Sequence, residues 1–238
     1  ILFLLNWGIN VSHNTMAQVL SIHAIEFYAP NYEGTGKARS ASKFIANTRT
    51  PALFQTRQLQ ENNREISSTR TGFAIDFIFK NEVLTNYEFV VGFSSGSLSN
   101  DLFELTGTFQ DSIAVTTSYR VESQYFFMKS GLRRIFRGDK KLSIQFGGLL
   151  NIGLPVSART YEIINQPLIG ETEYRFFARQ YVTAGFHIPI GIQLKITKYF
   201  SMALSSITGF QLQNLDGTPA VTTLNGVDLK FNFRLRKP

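Results

Sequence analysis

Apolar and polar side chains alternate with a period of two along most of this chain. Between residues 181 and 196, apolar side chains occupy the even positions, beginning with Val182, and smaller or polar ones occupy the odd positions. This is the side-chain period of a β-strand, because successive side chains point to opposite faces of a sheet. The pattern predicts eight strands, at residues 19–28, 67–80, 87–95, 115–127, 142–158, 181–196, 200–212 and 226–236.

The connections between these strands alternate in length. Short turns are predicted at residues 80–85, 137–141 and 197–199, and long loops at residues 31–64, 97–114, 162–177 and 214–225. Strands that run up and down in sequence place all short turns at one end of a barrel and all long loops at the other. Short periplasmic turns and long outer loops are typical of outer-membrane barrels, and an even strand number puts both termini on the periplasmic side.

The nature of the two strand faces distinguishes a membrane barrel from a soluble one. A soluble eight-stranded barrel of the lipocalin kind would turn its polar face to water. Here the polar face is rich in Gly, Ser, Thr and Gln, and the apolar face ends in aromatic side chains like those of membrane girdles. The expected girdle residues are Tyr119, Tyr125, Tyr199, Phe200 and Phe233. The pattern therefore favours an all-β fold, an eight-stranded antiparallel up-and-down transmembrane β-barrel.

The first 17 residues carry no charged side chain and include the apolar run ILFLLNWGI. This run is too short to cross a membrane as a helix. Thr15 and Ala17 occupy positions suited to a signal-peptidase cleavage site. We therefore expect residues 1–17 to be a secretory signal peptide, truncated at its start, and residues 18–238 to be a single barrel domain. A buried N-terminal strand or helix is the alternative.

Composition adds two constraints. Charged residues make up 17% of the chain, against about 25% in a typical soluble domain, and 22 of the 238 residues are Phe. The formal net charge of +7 suits an anionic membrane surface or nucleic acid. Because the basic residues are not interleaved with aromatic ones, nucleic acid is not an expected partner. The chain has no Cys, which excludes disulfides and thiolate metal sites.

The stretch YRVESQYFFMKSGLRRIFRGDKKLSIQFGGLLNIGLPVS, from Tyr119 to Ser157, resembles a strand–turn–strand unit of known outer-membrane proteins. The layout is similar to the eight-stranded barrels of the OmpA and OmpX type. It is more similar to the outer-membrane β-barrel family of Bacteroidota that includes the PorT-like proteins. Glu122 matches a Glu of that family's motif, whereas Gln124 stands where Pro is usual. The resemblance implies the fold, a place in the bacterial outer membrane, and partners among outer-membrane or periplasmic proteins.

The polar strand faces carry charges of both signs. The interior of an eight-stranded barrel is only wide enough for side chains to fill, so lumenal charges must pair with one another. We therefore predict an internal salt-bridge plug, with a selective conduit as the alternative. The predicted lumenal residues are Arg70, Asp76, Lys80, Glu88, Arg120, Glu122, Lys195, Asp228, Lys230 and Arg234.

The long loop at residues 31–64 is predicted to be basic. It is interpreted either as a solvated loop or as a surface that contacts lipopolysaccharide phosphates or an acidic partner. Its basic residues are Lys37, Arg39, Lys43, Arg49, Arg57 and Arg64.

Candidate catalytic residues are few. Residues 92–96 match G-x-S-x-G, but a nucleophile elbow needs a strand, a sharp turn and a helix, and this match ends a strand. His187 is expected on the lumenal face as a hydrogen-bonded histidine, and together with His23 it does not supply a typical metal site. No catalytic residue, metal or cofactor is predicted.

The sequence thus predicts a non-enzymatic outer-membrane barrel. It would act as an envelope anchor, a surface-interaction protein, or a subunit of an outer-membrane or secretion-related complex. Outer-membrane lipids and lipopolysaccharide are the expected surroundings. A narrow channel and a lipid-modifying enzyme of the outer membrane are the alternatives.

Overall fold

The computed structural model describes residues 21–38, 60–61, 65–80, 86–109, 113–136, 140–166, 170–177, 179, 181–215 and 218–235. All secondary structure in these segments is β-strand, and no helix among them is long and apolar enough to cross a membrane. The strands are β1 (Ser21–Tyr28), β2 (Asn31–Ala38), β3 (Gln60–Glu61), β4 (Glu65–Lys80), β5 (Tyr87–Phe109), β6 (Ile113–Phe136), β7 (Leu142–Gln166), β8 (Gly170–Phe177), β9 (Thr183–Lys195), β10 (Phe200–Leu215) and β11 (Thr218–Arg234). The predicted signal peptide lies outside the described residues.

The strands close into an antiparallel ring with eight positions. β1 and β2 occupy one position, because both pair with β4 on one side and β11 on the other. Ala29 and Pro30 interrupt them, and Pro has no N–H to donate to a neighbouring strand. β8 and β9 likewise share one position beside β7. The pairing of β11 with β1 closes the ring, which confirms the predicted eight-stranded up-and-down barrel.

The stagger of the ring fixes the tilt of its strands. Following paired residues once around the ring from Phe233 leads back to β11 at Thr223, ten residues from the start. Ten residues of about 3.3 Å against eight strand spacings of about 4.8 Å give a tilt of about 40° and a backbone radius of about 8 Å. Such a ring has room inside only for side chains. The successive partners are Phe233, Ile25, Phe77, Val91, Ser130, Leu150, Phe186, Phe210 and Thr223.

The short connection predicted at 197–199 joins β9 to β10, whereas residues 81–85 and 137–139 of the other two lie outside the described residues. The segments predicted as long loops contain strand, including β2 and β3 within residues 31–64. β5 runs on to Phe109 and β6 begins at Ile113, so most of the predicted loop at 97–114 is a paired hairpin. The predicted loops at 162–177 and 214–225 are likewise strand in most of their described parts. These extensions lack a long apolar face, so alternation of apolar and polar residues does not reveal them.

The outward face carries a band of exposed apolar side chains, called the apolar belt. Representative members on β4–β11 have exposed fractions between 36% and 58%, which reverses the usual distribution of a soluble protein. This is the surface expected of a barrel whose outer wall meets lipid. Representative members are Phe73, Phe89, Leu132, Leu150, Ile190, Leu204 and Leu229.

The faces were predicted correctly on most strands but not on β6. Tyr119 and Tyr125, expected in an aromatic girdle, point into the barrel and are 2% and 5% exposed. Arg120 and Glu122, expected in the lumen, lie on the outward face. This part of β6 lies beyond the apolar belt along the barrel axis. There the outer wall is polar and aromatic side chains fill the interior, so the two faces are reversed.

Candidate functional site: the charged lumen

The lumen holds the densest set of charges among the described residues. Five carboxylates and four cationic side chains point inward with exposed fractions of 10% or less, so they are closed off from bulk water. Five of these nine were predicted to be lumenal, and Glu26, Lys129, Arg133 and Glu162 were not. The nine are Glu26, Asp76, Glu88, Glu162, Asp228, Arg70, Lys129, Arg133 and Lys230.

Three further predicted residues lie at the short-turn end of the barrel. Lys80, Lys195 and Arg234 occupy inward-facing positions on their strands but are only partly buried. They therefore line the rim and do not belong to the buried set.

The lower cluster lies nearest the short-turn end and consists of Glu26, Glu88, Arg133 and Asn232. Arg133 Nη1 lies 2.8 Å from Glu26 Oε1, while its Nε and Nη2 donate to Glu88 Oε2 at 3.0 and 2.6 Å. Asn232 Nδ2 donates to Glu26 Oε1 at 2.8 Å. The planar guanidinium of β6 thus bridges carboxylates from β1 and β5, two strands that are separated in the ring by β4.

The middle pair lies above this cluster and consists of Asp76 and Lys129. Lys129 Nζ is 2.6 Å from Asp76 Oδ2 and 4.4 Å from the centre of the Tyr28 ring. Lys230 Nζ lies 4.8 Å from the same ring, so Tyr28 is in cation–π contact with both lysines. A Cβ at Gly92 would collide with the Asp76 carboxylate and with Cε of Lys129. Only glycine leaves room for the pair at this position.

The upper cluster consists of Tyr32, Arg70, Phe127 and His187. The Arg70 guanidinium lies 3.5 Å from the centre of the Phe127 ring, and its Nη2 donates to Ser94 Oγ at 3.0 Å. His187 meets the Tyr32 ring edge-on at 5.7 Å and is lumenal, as predicted. Its Nε2 has no hydrogen-bond partner among the described residues.

Tyr32 links the upper cluster to the charges below it. Its hydroxyl donates to Asp228 Oδ2 at 2.9 Å. Ion pairs and cation–π contacts therefore follow one another along the barrel axis, from the lower cluster through the middle pair to the upper cluster. These buried side chains fill the lumen of the described strands.

The outward face beyond the belt carries a different polar surface. Arg120 Nε donates to Asp101 Oδ1 at 2.6 Å, and this hydrogen bond raises the pKa of Arg120. A pocket of about 360 Å³ lies between β5, β6 and β7, lined by Ser99, Glu122, Arg159 and Tyr161 among others.

The other predicted motifs contribute no described site. Residues 92–96 run inside β5 without a turn, and the inward Ser94 accepts a hydrogen bond from Arg70, so they form no nucleophile elbow. No group of three or more potential metal ligands occurs in the described part of the chain. Of the predicted basic loop, Lys37 is described and exposed on β2, while Arg39, Lys43, Arg49, Arg57 and Arg64 lie outside the described residues.

Solved structures with some similarity to this chain are outer-membrane barrels. Neisserial surface protein A aligns at 7% identity and a TM-score of 0.39, covering 89% of this chain and 99% of its own. Ail, the attachment invasion locus protein of Yersinia pestis, aligns at 10% identity and a TM-score of 0.32, covering 90% of this chain and 100% of its own. The outer membrane protease OmpT from Escherichia coli aligns at 8% identity and a TM-score of 0.39, covering 94% of this chain and 100% of its own.

These similarities assign no activity, because a surface protein and a protease align about equally well at very low identity. No protein-family model matches the chain. No curated protein sequence matches it either.

Proposed function

We propose that this protein is a non-enzymatic integral barrel of the bacterial outer membrane that presents rigid hairpins on the cell surface. The observation that carries the proposal is the combination of an apolar outer wall with a closed, ion-paired lumen. An apolar wall suits anchoring in lipid, and a filled lumen suits a scaffold better than a pore.

The projecting hairpins support a role in surface interaction. At a tilt of about 40°, the 24 residues of β6 rise by about 60 Å, whereas the apolar band of such barrels is about 25 Å tall. More than half of this strand therefore extends beyond the hydrocarbon. Its outward face there is polar and includes Arg120 and Glu122. A contact with lipopolysaccharide, an acidic partner or a subunit of an envelope or secretion complex would use this region.

Heat modifiability combined with vesicle flotation tests the proposal. The folded protein should migrate faster on an unboiled gel than after boiling, and it should float with phospholipid vesicles after an alkaline wash. Identical migration of boiled and unboiled samples, or release from vesicles by the wash, would contradict a membrane-inserted barrel.

A narrow channel is the second candidate. It is favoured by buried polar atoms without partners among the described residues, including Asp228 Oδ1 and both polar atoms of the Gln211 amide. Buried atoms of this kind often bind ordered water. If such water formed a continuous file, folded protein in planar bilayers would give reproducible conductance steps.

A further inference from the structure

The apolar belt ends at different heights on the two sides of the barrel. Heights along the barrel axis follow from the tilt of about 40°. One residue along a strand changes the height by about 2.5 Å. One step to the paired residue on the next strand, in the order from β11 through β1 to β10, raises the height by about 3 Å toward the long-loop end. On one wall, the apolar side chains of the belt end at Phe73, Phe93 and Val227, about 10, 8 and 9 Å above Phe77, and polar outward positions follow on each strand. Among the described side chains of this wall, the exposed Val221 stands apart from the belt, about 24 Å above Phe77.

The opposite wall carries outward apolar side chains for about 10 Å more, although Ser206 and Thr208 interrupt them on β10. Leu154 on β7 and Leu212 on β10 lie about 20 Å above Phe77 and are 43% and 48% exposed. The belt is therefore a wedge, short on β11, β1, β4 and β5 and tall on β7, β9 and β10.

A hydroxyl-rich surface lies directly above the short side. Its side chains face outward, and Thr71 Oγ1 lies 3.0 Å from Ser97 Oγ, while Thr208 Oγ1 of the neighbouring β10 donates to Asn225 Oδ1 at 2.7 Å. We call this surface the hydroxyl wall. Its members are Asn31, Glu33, Thr35, Thr69, Thr71, Ser95, Ser97, Thr223 and Asn225, all of them exposed.

At equal height, the outward side chains are polar on one wall and apolar on the other. Thr71 and Ile152 both lie about 15 Å above Phe77, and Asn225 and Phe210 lie about 14 and 16 Å above it. A flat bilayer boundary would therefore immerse the hydroxyl wall in hydrocarbon or expose apolar side chains of the tall wall to water.

We propose that the hydroxyl wall is a docking surface for lipid headgroups, and that hydrocarbon ends lower there than on the opposite wall. The proposal rests on the membrane insertion described above and specifies the lipid arrangement around the barrel. Hydroxyl and amide side chains donate and accept hydrogen bonds, which suits the sugar, phosphate and water of a headgroup layer and does not suit acyl chains.

Continuity with the apolar belt identifies lipid as the occupant. The hydroxyl wall begins one outward position above Phe73, Phe93 and Val227, with Thr71, Ser95 and Asn225, so one boundary divides the two surfaces on three strands. A bilayer tilts or thins to follow such a boundary when the apolar surface is shorter than the hydrocarbon.

Single-cysteine labelling tests this directly, because the chain has no Cys of its own. Thr71→Cys and Ile152→Cys form one matched pair, Asn225→Cys and Phe210→Cys form a second, and Leu229→Cys serves as a belt control on the short side. Each variant is labelled with an environment-sensitive fluorophore and reconstituted in dilauroyl phosphatidylcholine vesicles. Aqueous iodide and tail-brominated lipid are then compared as quenchers, after heat modifiability confirms folding.

The proposal expects several-fold stronger iodide quenching at Thr71→Cys and Asn225→Cys than at their partners, with stronger quenching by brominated tails at Ile152→Cys and Phe210→Cys. Equal quenching by brominated tails within both pairs would overturn it while leaving insertion intact. If Leu229→Cys is also quenched by iodide and not by brominated tails, the proposed membrane function itself fails. In intact cells, Thr71→Cys should react with an impermeant maleimide. If the cysteine is protected in cells but reacts in vesicles, a protein partner covers the hydroxyl wall, and the proposal that lipid headgroups occupy it is overturned.

Discussion

Replacing Arg133 by Met removes the one cation that the two carboxylates of the lower cluster contact directly in the described structure. Arg133 is 3% exposed, and the Glu26 and Glu88 side chains are 0% and 7% exposed, so the carboxylates would stay buried without a partner. Breaking a buried ion pair by removing one member costs about 3–5 kcal/mol. We therefore expect Arg133→Met to lower the free energy of unfolding by about that amount.

Arg134 supplies a matched control. Its side chain faces outward, exposed, with its guanidinium 4.6 Å from the centre of the Phe136 ring. Losing an exposed cation–π contact costs about 0.5–1 kcal/mol, so Arg134→Met should have a small effect. Guanidinium unfolding in detergent micelles, followed by far-ultraviolet circular dichroism, measures both variants.

A mutant cycle separates the charge effect from simple loss of packing. In a background with Glu26→Gln and Glu88→Gln, the cost of Arg133→Met should fall by about 2 kcal/mol or more, because no buried charge is left unpaired. If Arg133→Met costs no more than Arg134→Met, or costs the same in both backgrounds, the lower cluster does not stabilise the barrel as described.

Four further substitutions test three other parts of the structure. Gly92→Ala should destabilise the barrel by about 1–3 kcal/mol through overpacking against the middle pair, and an unchanged denaturation midpoint would contradict that contact. Leu229→Arg should cost about 2–4 kcal/mol in lipid vesicles, whereas Thr223→Arg should cost about 0–1 kcal/mol, and equal costs would contradict the different surroundings of the two positions. Asp101→Asn should cost less than about 1 kcal/mol, because its partner Arg120 is 43% exposed, and a larger loss would show that the pair is not a simple surface contact.

Alternation predicted the ring well where each strand crosses the belt. On β9 and β11, every outward position at belt level is apolar, so a period of two gives both the strand and its orientation. Beyond the belt the same period gives the strand but not its orientation. Tyr119, Tyr125 and Phe127 fill the lumen there, and the charged Arg120 faces outward.

The missed lumenal residues have local causes. Glu26 lies on the inward face of β1, but the register of β1 shifts between Ile22 and Ala24, which blurs the alternation near the start of that strand. Lys129 and Arg133 follow Phe127 on the same inward face, beyond the end predicted for that strand. Their pairing partners come from β1, β4 and β5, and no local pattern in the sequence brings these strands together.

The conductance of the folded protein tests the central claim, a closed lumen filled by paired charges, most directly. Heat-modifiable protein is reconstituted into planar phospholipid bilayers in molar potassium chloride, and currents are recorded across a range of voltages. The described lumen predicts a baseline without discrete steps at all of them. Reproducible steps of uniform size, which scale with the amount of folded protein and disappear when it is boiled, would contradict it.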